Sequence, residues 1–496
     1  MSKLASFKEL MREIDITSNI MNTLSWDMRV NLPPKAAAYR AETMGFLSGK
    51  LYSMKTSPKL YELCGELSAV GNNDRITARM IKEALKEYKR LTEIPQKLYS
   101  DFTEHNLKAE LVWQEARAKN DYAMLKDSLV KEFDYKRQFA ACHGFAENPM
   151  DGLMDEYEEG MTTKKLDKIF DELKASVKEL LGKIDASSKA YDKTFIFGKY
   201  PIDRQRAFCK RMVGIAGFDL LAGRLDESAH PYTTGNNKYD IRMTTRYFEN
   251  NFTNAALSSM HEMGHSVYAQ NHLDDLAYTT LDHSPSFGWD EGQSRFFENI
   301  IGRSEPFWAY FLPMAQTYFD GLYGMKLNDF YNSLNAVYRD PRRLDADELT
   351  YNLHIVIRYE LEKTIFAGQV SFDDLPDAWN LKCKEYLGIT PKNDAEGVLQ
   401  DMHWASGYIG YFQNYVLGNC YDGHLLNKMK QDIPDMYDQV ANGKFDEILG
   451  WQIRNVHTHG CFYNPEELLE RVTGEKLSAA HYIHYLNDKY SRIYKL

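Results

Sequence analysis

Along most of this chain apolar residues recur every three or four positions with Lys and Glu between them, the spacing of a helix with one buried face. The segments 76–92 (ITARMIKEALKEYKRLT), 104–141, 163–189 and 352–367 read this way. The opening MSKLASFKELMREIDITSNIM reads as a further amphipathic helix. Its early lysine is followed by acidic residues and by no uninterrupted apolar core, so it is not a signal peptide. Irregular stretches are expected at 142–152, 222–238 and 388–396, none long or biased enough for an interdomain linker. One segment changes period. In YDIRMTTRY (239–247), Tyr239, Ile241 and Met243 alternate with Asp240, Arg242 and Thr244, which predicts a strand just before a helix at 254–270. The expectation is a large, mainly α fold with a small sheet near that helix.

Composition narrows the classes. Hydrophobic residues make up 44% and charged residues 26% of 496 positions, a globular balance. A formal charge of −11 argues against a nucleic-acid partner, and no apolar run is long enough to span a membrane. The six cysteines are scattered without a CxxC pair, so they read as isolated, mostly buried thiols of a cytoplasmic protein.

The chemistry starts at HEMGH, 261–265. On a helix, positions i and i+4 share a face, so His261 and His265 aim two imidazole nitrogens at one point, at a spacing Zn²⁺ accepts. Glu262, one step round, reaches a water held there and can take its proton. Thr253 or Asn254 is the expected N-cap, and Gly264 allows another element to approach closely. A catalytic zinc needs a third protein ligand, and position 271 is Asn271, not histidine. WDEGQSRFFENIIGRS (289–304) reads as a second helix carrying two candidates, Glu291 and, two turns on, Glu298, as ligand or as partner of a histidine.

Further blocks carry a resemblance. LSWDMRVNLPP (24–34), HPY (230–232), DIRMT (240–244), HEMGH, DEGQSR (290–295), RRLDAD (342–347), IRYELE (357–362), GVLQDMHW (397–404), GYF (410–412) and PEELLERVTGE (465–475) run in family order over nearly the whole length. The sequence resembles the thermostable carboxypeptidases typified by the Thermus carboxypeptidase Taq, metallopeptidase family M32. The resemblance implies a helical gluzincin fold with a deep groove, similar to neurolysin and angiotensin-converting enzyme, in one domain over 1–496 and often as a homodimer. It also implies peptide substrates with a free C-terminus and a divalent ion, Zn²⁺ or Co²⁺. Carried over residue by residue, His261, His265 and Glu291 are the ligands and Glu262 the general base. His230 falls in a substrate-binding block, and Tyr411 and His403 are the candidate oxyanion donors. Three departures stand out. Asp290 replaces the family's His, Tyr232 its Phe, and Arg342 the usual apolar residue.

An exopeptidase must also recognise a terminal carboxylate, for which Arg is the natural partner. Arg343 is the favoured clamp and Arg242 a groove-shaping residue, each also readable as half of a structural ion pair. The rival readings are a dipeptidase or oligoendopeptidase of the same helical class, and an inactive helical binding scaffold.

Overall fold

The computed structural model describes residues 2–145 and 147–496. It is mainly helical, with a single three-stranded sheet among the described residues. Four helices come first: α1 (Lys3–Val30), α2 (Ala37–Lys55), α3 (Pro58–Val70) and α4 (Arg75–Glu93). Phe7, Met11, Leu60, Leu67 and Met80 form a small core among them, which closes against the rest through Leu276, Leu281 and Cys461. Then come α5 (Gln96–Lys119), α6 (Ala123–His143), α7 (Asp151–Met154), α8 (Thr163–Ala186) and α9 (Ile202–Ile215). The strands are β1 (Gly223–Glu227), β2 (Thr233–Asn237) and β3 (Asp240–Thr245), followed by α10 (Phe252–Gln270) and α11 (Phe287–Arg295). The remaining helices are α12 (Glu305–Tyr318), α13 (Leu327–Leu334), α14 (Glu348–Phe366), α15 (Leu375–Leu387), α16 (Gln413–Asp432), α17 (Met436–Ala441), α18 (Asp446–Asn455), α19 (Pro465–Thr473) and α20 (Ala480–Tyr494). A second, much larger core runs from Ile94 to Tyr494.

Two expectations about elements need correction. The predicted helix at 104–141 is two helices, because Asn120 takes a left-handed conformation (φ 55°) that ends α5 before α6 begins. The stretch 222–238, expected to be irregular, contains β1 and β2. Neither has an apolar alternation of its own. Both are ordered by pairing with central β3, β1 in parallel and β2 antiparallel, with an irregularity between Gly235 and Asn237. Ile241 and Met243 of β3 are buried, as its alternation requires, but Tyr239 lies outside the strand and is exposed, and Thr244, expected on the polar face, is buried. All six cysteines are free, and no helix among the described residues is long and apolar enough to cross a membrane.

A groove of about 2520 Å³ separates the first four helices from the larger body. Asp15, Asn22, Glu83 and Arg90 line one wall, and residues of α10 and α11 line the other.

A buried acid on α6 gives this fold a measurable pH dependence. Glu132 is fully buried, and neither of its oxygens accepts a hydrogen bond among the described residues. Burial pushes its carboxyl up from 4.5 to about 8, with Lys136 opposing. Between those values the folded protein keeps a proton that the unfolded chain releases. Stability therefore falls as pH rises from about 4.5 to about 8 and is level above. Glu132→Gln removes the titration. The variant should gain stability over wild type across that window, by roughly 3–5 kcal/mol at its end. Melting curves at pH 5, 6.5 and 8 check this, and a difference independent of pH would refute it.

Candidate metal centre

Helix α10 starts one residue after Asn251, whose side-chain oxygen accepts from the backbone N–H of Thr253 and Asn254. The cap therefore lies earlier than the expected Thr253 or Asn254, since Asn251 can reach the orphan donors of the first turn. Down this helix, His261 and His265 stand one turn apart with ring centroids 5.1 Å apart. Helix α11 brings Glu291 opposite them. One donor atom from each of His261, His265 and Glu291 lies within 4.8 Å of the others, and His261 Nε2 is 3.7 Å from Glu291 Oε2.

The approach of the two helices depends on glycine. A Cβ on Gly264 would strike the Gln293 carbonyl and lie 2.6 Å from Ser294 Cα, so α11 fits only against a bare backbone. On its far side, a Cβ on Gly418 of α16 would lie 3.1 Å from the Glu291 carbonyl carbon. Beyond Arg295 the chain continues as a π-helical segment, Phe296–Ile301, which carries Glu298.

Each imidazole is backed by a carboxylate. His261 Nδ1 lies 2.9 Å from Glu298 Oε2, and His265 Nδ1 lies 3.3 Å from Asp290 Oδ2, a looser contact. Ionised carboxylates only accept, so each ring keeps a proton on the Nδ1 that faces its carboxylate, and Nε2 is the nitrogen that becomes a donor atom once its own proton gives way to an ion. Asp290, a departure from the family pattern, thus sits behind a histidine. Glu262 is almost fully buried, and its Oε2 accepts from Thr233 Oγ1 of β2 at 2.7 Å.

The charge balance fits a cation. Four carboxylates, Glu262, Asp290, Glu291 and Glu298, surround the two imidazoles. Burial alone would keep His265 neutral, yet Asp290, Glu291 and Glu262 push it up to about 10. Burial also opposes ionisation of Glu298, but His261, Arg295 and Arg303 pull it down to about 2. Burial raises Glu262. Two imidazoles and a carboxylate, with surplus negative charge around them, are a donor set for a divalent ion of borderline softness.

A sequence profile for the family described as carboxypeptidase Taq (M32) metallopeptidase matches residues 6–490. The chain belongs to the M32 family. Membership makes it a metallocarboxypeptidase, a peptide hydrolase dependent on a divalent metal. Carboxypeptidase 1 of Bacillus subtilis is 38% identical over 99% of this chain and 98% of its own length. Thermostable carboxypeptidase 1 of Thermus thermophilus is 35% identical over 98% of each. The crystal structure of the M32 carboxypeptidase from Deinococcus radiodurans superposes with a TM-score of 0.97 at 33% identity, covering all of both chains. The helical fold is thus that of the M32 carboxypeptidases.

The other candidates are placed unevenly. His230, exposed, and Tyr411 both line the groove. His403 is absent from the lining; it sits behind Tyr415, its Nε2 3.4 Å from that hydroxyl. Burial, with Arg343 and Arg358 nearby, keeps His403 neutral, down to about 3. Arg343 lines the groove but already donates to both oxygens of Asp401 and to the Tyr351 hydroxyl. Arg358 also donates to Asp401, so two guanidinium groups share one carboxylate and a positive charge remains over. Arg242 is absent from the lining: it donates to both oxygens of Asp240, and it lies 4.6 Å from the Trp26 ring of α1.

Two groove residues escaped sequence reasoning. Thr233 lay in a stretch read as irregular. Tyr415, also in the lining, stands four residues after Tyr411, a spacing that could have flagged it. Burial, with Glu291 among the neighbouring charges, holds both phenols far above their ordinary value, so they remain donors.

Proposed function

We propose that this chain releases single residues from the free C-termini of peptides. In this reading His261, His265 and Glu291 hold Zn²⁺, with Co²⁺ as a workable replacement, and Glu262 is the general base. The observation that carries it is the convergence of two carboxylate-backed imidazoles and Glu291 within 4.8 Å, beside a buried glutamate with one oxygen uncommitted.

The ion, when bound, polarises the scissile carbonyl and makes a water easier to deprotonate at neutral pH. Thr233 occupies Oε2 of Glu262, which leaves Oε1 to accept the water's proton and pass it to the leaving amine. Burial raises the affinity of Glu262 for that proton, which suits a group that must take and then return it. The Tyr411 and Tyr415 hydroxyls, kept protonated, donate to the oxyanion that develops on the carbonyl. His403 serves Tyr415 from behind, in place of the direct donor role expected from the sequence. Arg343 meets the terminal carboxylate with the charge that Asp401 leaves unbalanced, His230 contacts the peptide along the groove, and Arg242 shapes the groove by tying β3 to α1. Residues 1–496 form one catalytic unit. The free, mostly buried thiols favour a cytoplasmic setting, and the family resemblance favours a homodimer.

An N-terminally blocked peptide tests the reading, with single C-terminal residues as the expected products. A charge-assisted pair is worth about 1.5–3 kcal/mol, so amidating the peptide's C-terminus should lower kcat/KM roughly ten- to a hundredfold. Arg343→Ala should lose a similar factor on the free acid and treat both peptides almost alike. Equal cleavage of acid and amide by wild type, at internal bonds, would replace this reading by an endopeptidase.

A further inference from the structure

We propose that His424, Glu475 and His481 form a second divalent-metal site, away from the groove, that clips the C-terminal helices together. One donor atom from each lies within 4.8 Å of the others. None of the three lines the groove.

Three elements meet there. His424 is on α16, Glu475 follows the left-handed Gly474 that ends α19, and His481 is in the first turn of α20. Glu475 Oε2 is the hub, 2.6 Å from His481 Nε2 and 3.5 Å from His424 Nδ1. The two rings are 4.7 Å apart between centroids. His424 is 1% exposed, and its Nδ1 has no hydrogen-bond partner among the described residues, although it faces the other two groups. A buried imidazole nitrogen with no hydrogen bond, 3.5 Å from a carboxylate and beside a second imidazole, is placed where an ion can replace its proton.

The tautomer decides what binding must change. The Ser478 backbone N–H donates to His424 Nε2 at 3.1 Å, which puts the neutral ring's proton on Nδ1. An ion takes the place of that proton. The proton then moves to Nε2, which requires the Ser478 N–H to turn away from that nitrogen while the Ser478 hydroxyl, 3.3 Å away, takes over as acceptor. The His481–Glu475 contact must open slightly to admit the ion. Glu475 and His481 are 47% and 26% exposed, so the remaining coordination positions face water. Two imidazoles and one carboxylate with open positions suit Zn²⁺ better than Mg²⁺ or Ca²⁺. The ion would fasten the turn at 474–479 to α16, stabilising the fold without entering the reaction.

Chelator-stripped protein titrated with Zn²⁺, read by bound metal per chain and by melting temperature, tests the site. Wild type should hold two ions. His481→Ala should hold one and keep its peptidase activity, with the second ion bound at least about a hundredfold more weakly. His265→Ala, impaired at the groove centre, should also hold one ion and still melt higher with Zn²⁺. That rise should vanish when His481→Ala or Glu475→Gln is added. One ion in wild type, a folded His265→Ala protein with none, or a second ion indifferent to both His481→Ala and Glu475→Gln would overturn the proposal. A His265→Ala protein that still holds two ions would instead count against the ligand assignment in the groove.

Discussion

Replacing Glu262 by glutamine is expected to cut turnover by at least about a hundredfold while leaving the bound ion in place. The substitution keeps the side chain's shape, and its amide oxygen can still accept the Thr233 hydroxyl that now reaches Oε2. What changes is the other position, where an NH₂ group stands in place of an oxygen able to take a proton. Metal content should survive because the three donors converge without Glu262. Turnover and bound metal, measured on one preparation, separate this outcome from simple loss of the site. Activity within tenfold of wild type would mean that another group is the base.

Glu291→Ala should abolish tight metal binding, whereas Glu298→Ala should weaken it only about ten- to a hundredfold. The asymmetry follows from position. Glu291 faces His261 Nε2, the nitrogen left free for an ion, while Glu298 takes the proton side of the same ring. Loss of Glu298 frees that ring to turn and leaves Arg303 without its contact at 3.7 Å. Dialysis against a graded chelator series gives both affinities. The reverse ranking would move the ligand by two helical turns.

Much of this centre was legible in the sequence because helical spacing is rigid. The i, i+4 histidines, the glutamate between them and the need for a nearby third ligand all follow from one helix and the coordination habits of zinc. Gly264 foretold a close neighbour, and α11 is that neighbour. What stayed hidden depends on contacts between segments far apart in the chain. Nothing in TTGNN marks Thr233 as the partner of Glu262, because that strand exists only through its pairing with β3. Arg343 announced a charge, but only the fold shows Asp401 already bound to it and Arg358 sharing the same carboxylate. The break at Asn120 was missed because apolar periodicity continues through it, while a single left-handed residue redirects the chain.

The glycines on either side of α11 have a consequence for how this protein can change. The stretch bearing Glu291 is gripped between Gly264 and Gly418, backbone against backbone, with no flexible side chain to take up slack. A different ion radius or coordination number therefore cannot be accommodated by sliding this helix. Retuning must act through rotamers, or through the outer carboxylates Asp290 and Glu298, which orient the rings without bearing on the helix seam. Laboratory selection for a new metal should accordingly collect its substitutions at those outer positions and leave both glycines untouched.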